Sequence, residues 1–154
     1  MPRYTAPVRI YLACTIRGDR SALPAVRLIH DALVALGHEV LTARFLDEHA
    51  EAEDGRLSEQ QVFERDLRWL DACDLIVAEA SGSTYGVGFE VGYVLARAER
   101  TGQRVVLVYD AARRQAISRL VPGNNHQACV TFGYDSLAAL EAFLEDHAGL
   151  FATD

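Results

Sequence analysis

Apolar positions along the chain follow two periods. Residues 8–14, 75–78 and 105–109 form short, nearly continuous apolar runs rich in β-branched side chains. That is the pattern of strands buried on both faces of a parallel sheet. Residues 39–42 and 128–132 are more mixed and read as edge strands. Between these runs the spacing becomes helical. Val26, Leu28, Ile29, Leu33, Val34 and Leu36 predict a helix over about 22–36, with Gly37 as its stop signal. Ser58 followed by Gln61 is a capping-box pattern opening a helix to about residue 72, with Phe63, Leu67 and Leu70 on one stripe. Further helices are predicted over about 86–101 and 136–147, the last capped by Asp135 or Ser136. The acidic stretch 47–55 reads as a mobile loop.

Strands and helices alternate, which selects a three-layer α/β sandwich with right-handed crossovers. Five parallel strands in the flavodoxin-like order 2-1-3-4-5 are expected. Ligands in such sheets bind beyond the carboxyl ends of the strands, near the switch between strands one and three. Chemistry is therefore expected just after Cys14 and just after Glu79.

With 154 residues and no linker or internal repeat, residues 1–154 are expected to form a single domain. A composition of 50% hydrophobic and 24% charged residues fits a soluble globular protein. The 22 acidic and 15 basic residues give a net charge of -7, which excludes an extended basic surface for polymeric nucleic acid. No apolar run approaches the roughly 20 residues of a membrane span and no signal-peptide pattern is present, so a cytoplasmic protein without membrane association is expected. Cys14, Cys73 and Cys129 are odd in number and widely spaced, which points to reduced thiols rather than disulfides or zinc ligands. The five histidines show no metal-ligand spacing, and neither a metal nor another cofactor is expected.

After the first strand come Thr15, Ile16, Arg17 and Gly18. A hydroxyl, a guanidinium and a glycine at a strand-to-helix turn can gather a phosphate, although the Walker pattern is absent, and a solvated turn with a paired Arg is the plainer reading. After the third strand, Thr84 to Gly92 brings small residues and Glu90. Near a helix start the dipole favours an ionised carboxylate, suited to act as a nucleophile or to stabilise a developing cation; a helix-start Glu that merely complements the dipole is the simpler alternative. Gly86 and Gly88 do not continue into a dinucleotide fingerprint, since residue 91 is Val. Asp66 shares a helical stripe with Val62, Trp69 and Cys73, where burial would raise its pKa. An edge Asp paired with an Arg is equally compatible with that pattern.

Three blocks, residues 11–18, 64–79 and 86–92, together resemble the 2'-deoxynucleoside 5'-phosphate N-hydrolases of the nucleoside 2-deoxyribosyltransferase superfamily. The resemblance spans roughly residues 8 to 124. It implies cleavage of the N-glycosidic bond of a deoxynucleoside monophosphate, giving free base and 2-deoxyribose 5-phosphate without a cofactor. By that similarity Glu90 matches the nucleophile that forms a glycosyl-enzyme, in the manner of retaining glycosidases. Asp66 matches the acid that holds the sugar and helps the base leave, and Tyr11 a tyrosine that positions the nucleophile. Thr15, Ile16, Arg17, Gly18, Thr84 and Gly86 match the nucleotide cradle. The family is dimeric with a serine reaching the neighbouring site, and Ser118 in the segment 116–124 is its counterpart, so a homodimer is implied. The chain departs from the family with Cys14 in place of a glycine and threonines at 15 and 84 in place of serines. A deoxyribosyltransferase that exchanges bases is the enzymatic alternative, against which Arg17 argues, because a free 5'-hydroxyl needs no cation. A nucleotide-binding sensor without catalysis is the other alternative.

Overall fold

The structure, a computed structural model, describes residues 6–152. Its centre is an all-parallel sheet of β1 (Arg9–Ala13), β2 (Glu39–Val40), β3 (Leu75–Glu79), β4 (Arg104–Asp110) and β5 (Cys129–Tyr134), in the order β2-β1-β3-β4-β5. That is the expected topology. Every side chain of β3 is buried, as its unbroken apolar run requires of a strand covered on both faces. Its register sets Tyr11 beside Ile76 and Ala78 beside Leu107, so the ends of β1 and β3 lie together at the carboxyl edge.

Helix α1 (Leu23–Ala35) packs with α6 (Leu137–Asp146), while α3 (Glu59–Ala72) and α4 (Tyr85–Leu95) lie side by side through Phe63 and Phe89, whose ring centroids are 6.2 Å apart. The capping box of α3 is present, with Ser58 accepting from the Gln61 amide and the Gln61 side chain accepting from the Ser58 amide. Ser136, not Asp135, caps α6.

Three segments differ from the sequence expectation. The acidic 47–55 stretch holds a short helix, α2 (Ala50–Asp54), preceded by a 3-10 turn at Ala43–Leu46. The apolar Ala50 and Phe45 are buried there, and Arg44 pairs with Glu53 at 2.8 Å. The predicted 86–101 helix divides into α4 and α5 (Ala98–Thr101). The crossover from β4 to β5 contains no α-helix, only a 3-10 turn at Ala111–Arg113 and irregular chain.

Strand β2 is cut short by a side chain. Thr42 Oγ1 accepts from the Leu12 amide at 2.9 Å and donates to the Leu12 carbonyl at 2.8 Å, taking the place of a backbone partner. The chain then leaves the sheet and sets Phe45 edge-on to Tyr11, with centroids 6.3 Å apart. Within the α3 stripe Leu70 is buried but Phe63 is half exposed, because its end of the helix overhangs the cleft described next. Among the described residues, no helix is long and apolar enough to cross a membrane. All three cysteines are free, Cys14 and Cys73 buried and Cys129 partly so.

Candidate active site

A cleft of about 680 Å³ opens at the carboxyl edge of the sheet, between the turn after β1, the α2–α3 segment and the start of α4. Glu90, Asp66, Arg17, Ile16, Thr84 and Gly86 line it. Tyr11 is fully buried behind it and donates a hydrogen bond of 2.7 Å to Glu90 Oε1. Residues from β1, α3 and α4, distant in the chain, thus meet at one place.

Glu90 is the sixth residue of α4, beyond the first turn in which the helix dipole acts strongly. The expected dipole-favoured ionisation is therefore overturned. Burial dominates and pushes its carboxyl up to about 8, the negative charge of Asp66 adds to that, and the Tyr11 hydroxyl pulls the other way. Burial also raises Asp66, against the opposing pull of Arg65. Two carboxyls are held in one pocket with less solvent than either needs to ionise freely.

The other end of the cleft carries positive character. Thr84 is the N-cap residue of α4, yet its side chain makes no capping bond, so the first amides of the helix are left for a ligand. Arg17 is exposed at the rim and, among the described residues, has no ion-pair partner. Of the plainer reading of that turn, the solvated Arg holds and the paired acid does not: Asp19 pairs with Arg113 at 2.6 Å, and Arg20 donates to the Phe45 carbonyl at 2.6 Å. Gly18 has φ of +105°, a conformation that lets the chain turn sharply beneath Arg17.

Three of the residues expected to bind substrate, Thr15, Gly18 and Ser118, stand apart from the cleft wall. Thr15 is buried against Gly82, where an added Cβ would lie 2.1 Å from Thr15 Oγ1. The glycine at 82 is what makes room for a threonine at 15. Ser118 lies exposed on the β4–β5 crossover, outside this cleft, with its Oγ accepting from the Leu120 amide at 3.3 Å. Cys14 borders the cleft as a buried thiol pushed up to about 12, so it is a neutral wall and not a nucleophile.

Sequence reasoning missed the groups that support the site. Glu79, fully buried at the end of β3, accepts from the Tyr134 hydroxyl at 2.9 Å, from the Ser81 amide at 3.2 Å and from the Ser81 hydroxyl. Ser81 Oγ in turn accepts from the Asp110 amide at 2.8 Å. This network anchors the turn after β3, in which Ser83 adopts φ of +49°. Asp66 is both partly buried and paired with Arg65 at 2.7 Å, so its two sequence readings hold together, whereas Asp54 was hidden because it lies in a run of similar acids. Among the described residues no group of three or more metal-ligating side chains is placed to hold an ion.

The family model described as nucleoside 2-deoxyribosyltransferase matches residues 10–148. A Thermofilum pendens protein provisionally named 2'-deoxynucleoside 5'-phosphate N-hydrolase 1 is 39% identical over 116 residues, covering 75% of this chain and 78% of that protein. The Rattus norvegicus 5-hydroxymethyl-dUMP N-hydrolase is 30% identical over 120 residues, covering 77% of this chain and 71% of its own. Among solved structures, a Clostridium botulinum CMP N-glycosidase superposes with a TM-score of 0.63 at 18% identity, covering 90% of this chain and 98% of that one, a likeness of fold. The matched region takes in all of β1 but its first residue and the whole of α3, β3 and α4, which border the cleft, and the chain belongs to the nucleoside 2-deoxyribosyltransferase family.

Proposed function

We propose that this chain is a single-domain, cytoplasmic N-glycosidase that hydrolyses 2'-deoxynucleoside 5'-monophosphates to free base and 2-deoxyribose 5-phosphate. The observation that carries this reading is the Tyr11–Glu90 pair facing Asp66 at one end of a cleft whose other end is an uncapped helix start beside Arg17. A phosphate accepted by Arg17, the Thr84 hydroxyl and the α4 amides places the sugar over the two carboxyls. Gly86, on the first turn of α4, lets the phosphate approach the backbone, while Ile16 packs against the nucleotide and Gly18 shapes the turn. Thr15 braces the cradle from behind. The names of the relatives, at 30 to 39% identity, point the same way.

In this mechanism Glu90 attacks the anomeric carbon as the glycosidic bond breaks, and Asp66 delivers its proton to the departing base. Water, deprotonated by Asp66, then opens the glycosyl ester and restores the Glu90 carboxylate. Tyr11 holds Glu90 in line. Charge development at the sugar is met by two carboxyls, so the chemistry needs no cofactor.

The working form is a homodimer. Phe63, Tyr85 and Phe89 are exposed at the mouth of the cleft, and Leu120, two residues from Ser118, is 83% exposed. A second copy that laid its 116–121 segment across this mouth would cover these apolar groups and bring Ser118 to the phosphate.

Incubation with each deoxynucleoside monophosphate, each deoxynucleoside, and a deoxynucleoside plus a second free base, followed by chromatography, tests the reading. Base release from monophosphates alone is expected, with Arg17→Ala raising KM for them by about tenfold for a lost charge-assisted contact. Base exchange without a phosphate requirement would establish the transferase instead, and binding without turnover the sensor.

A further inference from the structure

Arg65 is an uncommon residue to find buried, at 8% exposure on the inner side of α3. Its guanidinium is fully engaged. Nε donates to Asp66 Oδ1 at 2.7 Å, with Nη2 at the same distance from that oxygen. Nη1 donates to Asp54 Oδ1 at 2.7 Å, and Nη2 lies 3.5 Å from Asp54 Oδ2. Its guanidinium carbon lies 5.1 Å from the Trp69 ring centroid and 5.5 Å from that of Phe45. A planar fork clamped between two aromatic rings and two carboxylates has one available orientation. Asp66 is therefore gripped by one oxygen only. Among the described residues its Oδ2 has no protein partner, and Asp66 lines the cleft.

Asp54 ends α2, and Asp54, Gly55 and Leu57 form the wall of the cleft opposite Glu90 and α4. We propose that Arg65 is a positioning residue: it aims the free oxygen of Asp66 into the cleft and, through Asp54, makes that aim depend on where the 54–57 wall stands. The base end of the substrate, lying beyond the sugar from Arg17, meets this wall. Correct seating of the base thus sets the acid that must protonate it, while phosphate capture at the far end is left untouched. The inference rests on the hydrolase reading for its kinetic consequence but not for its geometry.

Two measurements test it. With wild-type protein and Arg65→Gln, Arg65→Lys and Asp54→Asn variants, kcat on the preferred monophosphate should fall about 10- to 100-fold for Arg65→Gln while KM stays within about threefold, because only the aim of the acid is lost. Arg65→Lys, which keeps charge without the fork, should remain impaired, and Asp54→Asn should show a smaller loss of the same kind. In a double-mutant cycle, Arg65→Gln added to Asp66→Asn should cost no more than about twofold. Additive losses, or a raised KM with unchanged kcat, would overturn the proposal. The second measurement is independent of turnover: the carboxyl carbon of Asp66, followed by NMR titration, should have its midpoint raised in Arg65→Gln and near wild type in Arg65→Lys. The groups facing it are Arg65, Asp54, Arg44 with its partner Glu53, Glu90 and Tyr11, of which only Arg65 changes. An unmoved midpoint would overturn the contact itself, whereas absence of base release by wild-type protein would count against the hydrolase reading alone.

Discussion

Glu90 carries its proton at neutral pH because burial, not helix position, sets its affinity, and this has consequences for both rate and stability. The proposed mechanism needs one proton on the carboxyl pair, located on Asp66 with Glu90 bare. Removal of that last proton should make kcat/KM fall above about pH 8. Tyr11 donates to Glu90 and favours the bare form. A Tyr11→Phe variant should therefore move the alkaline limb to higher pH and lower the plateau about tenfold, since the productive arrangement becomes rarer. A pH–rate profile of both proteins checks this. For stability the sign is the opposite of a salt-bridged acid. Between the ordinary value of 4.5 and the folded value of about 8, the native state binds a proton that the unfolded chain has released, so stability falls as pH rises through that window. The contribution is on the order of a few kcal/mol. Thermal unfolding of Glu90→Gln should show a flatter Tm between pH 5 and 8 than the parent, with base release abolished.

At the scale of elements, the strands and the long helices were legible because each carries its own period, and α3 and α6 carry side-chain caps as well. The apolar run of β3 and the Ser58–Gln61 box are local signals that tertiary packing does not contradict. What was hidden depends on partners far away in the chain. Thr42 ends β2 by bonding Leu12, 30 residues earlier, and α2 folds in an acidic stretch because Arg44 and Arg65 hold Glu53 and Asp54. The α4–α5 break accompanies Arg97, which leaves the helix line to pair with Asp71 and to stack over Tyr93 at 4.5 Å. The turns after β1 and β3 are fitted to each other at Thr15 and Gly82. Gly82→Ala should cost about 1–3 kcal/mol by overpacking. Thr15→Ala in the same chain, which removes the hydroxyl that an added Cβ would meet at 2.1 Å, should recover part of that loss; denaturant unfolding of the parent and the two variants measures it.

For the molecule as a whole, the net charge of -7 argued against a polyanion partner yet said nothing of the cleft, where the Arg17 guanidinium, without an ion-pair partner among the described residues, and a helix start set local positive character in an acidic body. The place of the site was legible from topology alone, since a parallel sheet with this strand order opens between β1 and β3. Which acids would meet there was not, because Asp54, Glu53 and their neighbours look alike in the chain. The proposed homodimer has its own test: sedimentation or light scattering should give twice 17.0 kDa, and Leu120→Glu should shift it toward the monomer with a loss of activity. Thr42 has one more consequence, for colony with like sheets rather than for catalysis. By ending β2 after two residues and occupying the backbone of Leu12 itself, it leaves no long open template on that side among the described residues. The opposite edge, β5, runs for six residues with Val130 exposed. Any strand-to-strand aggregation of the folded protein is therefore one-sided, confined to β5, and cannot propagate through both edges of the sheet.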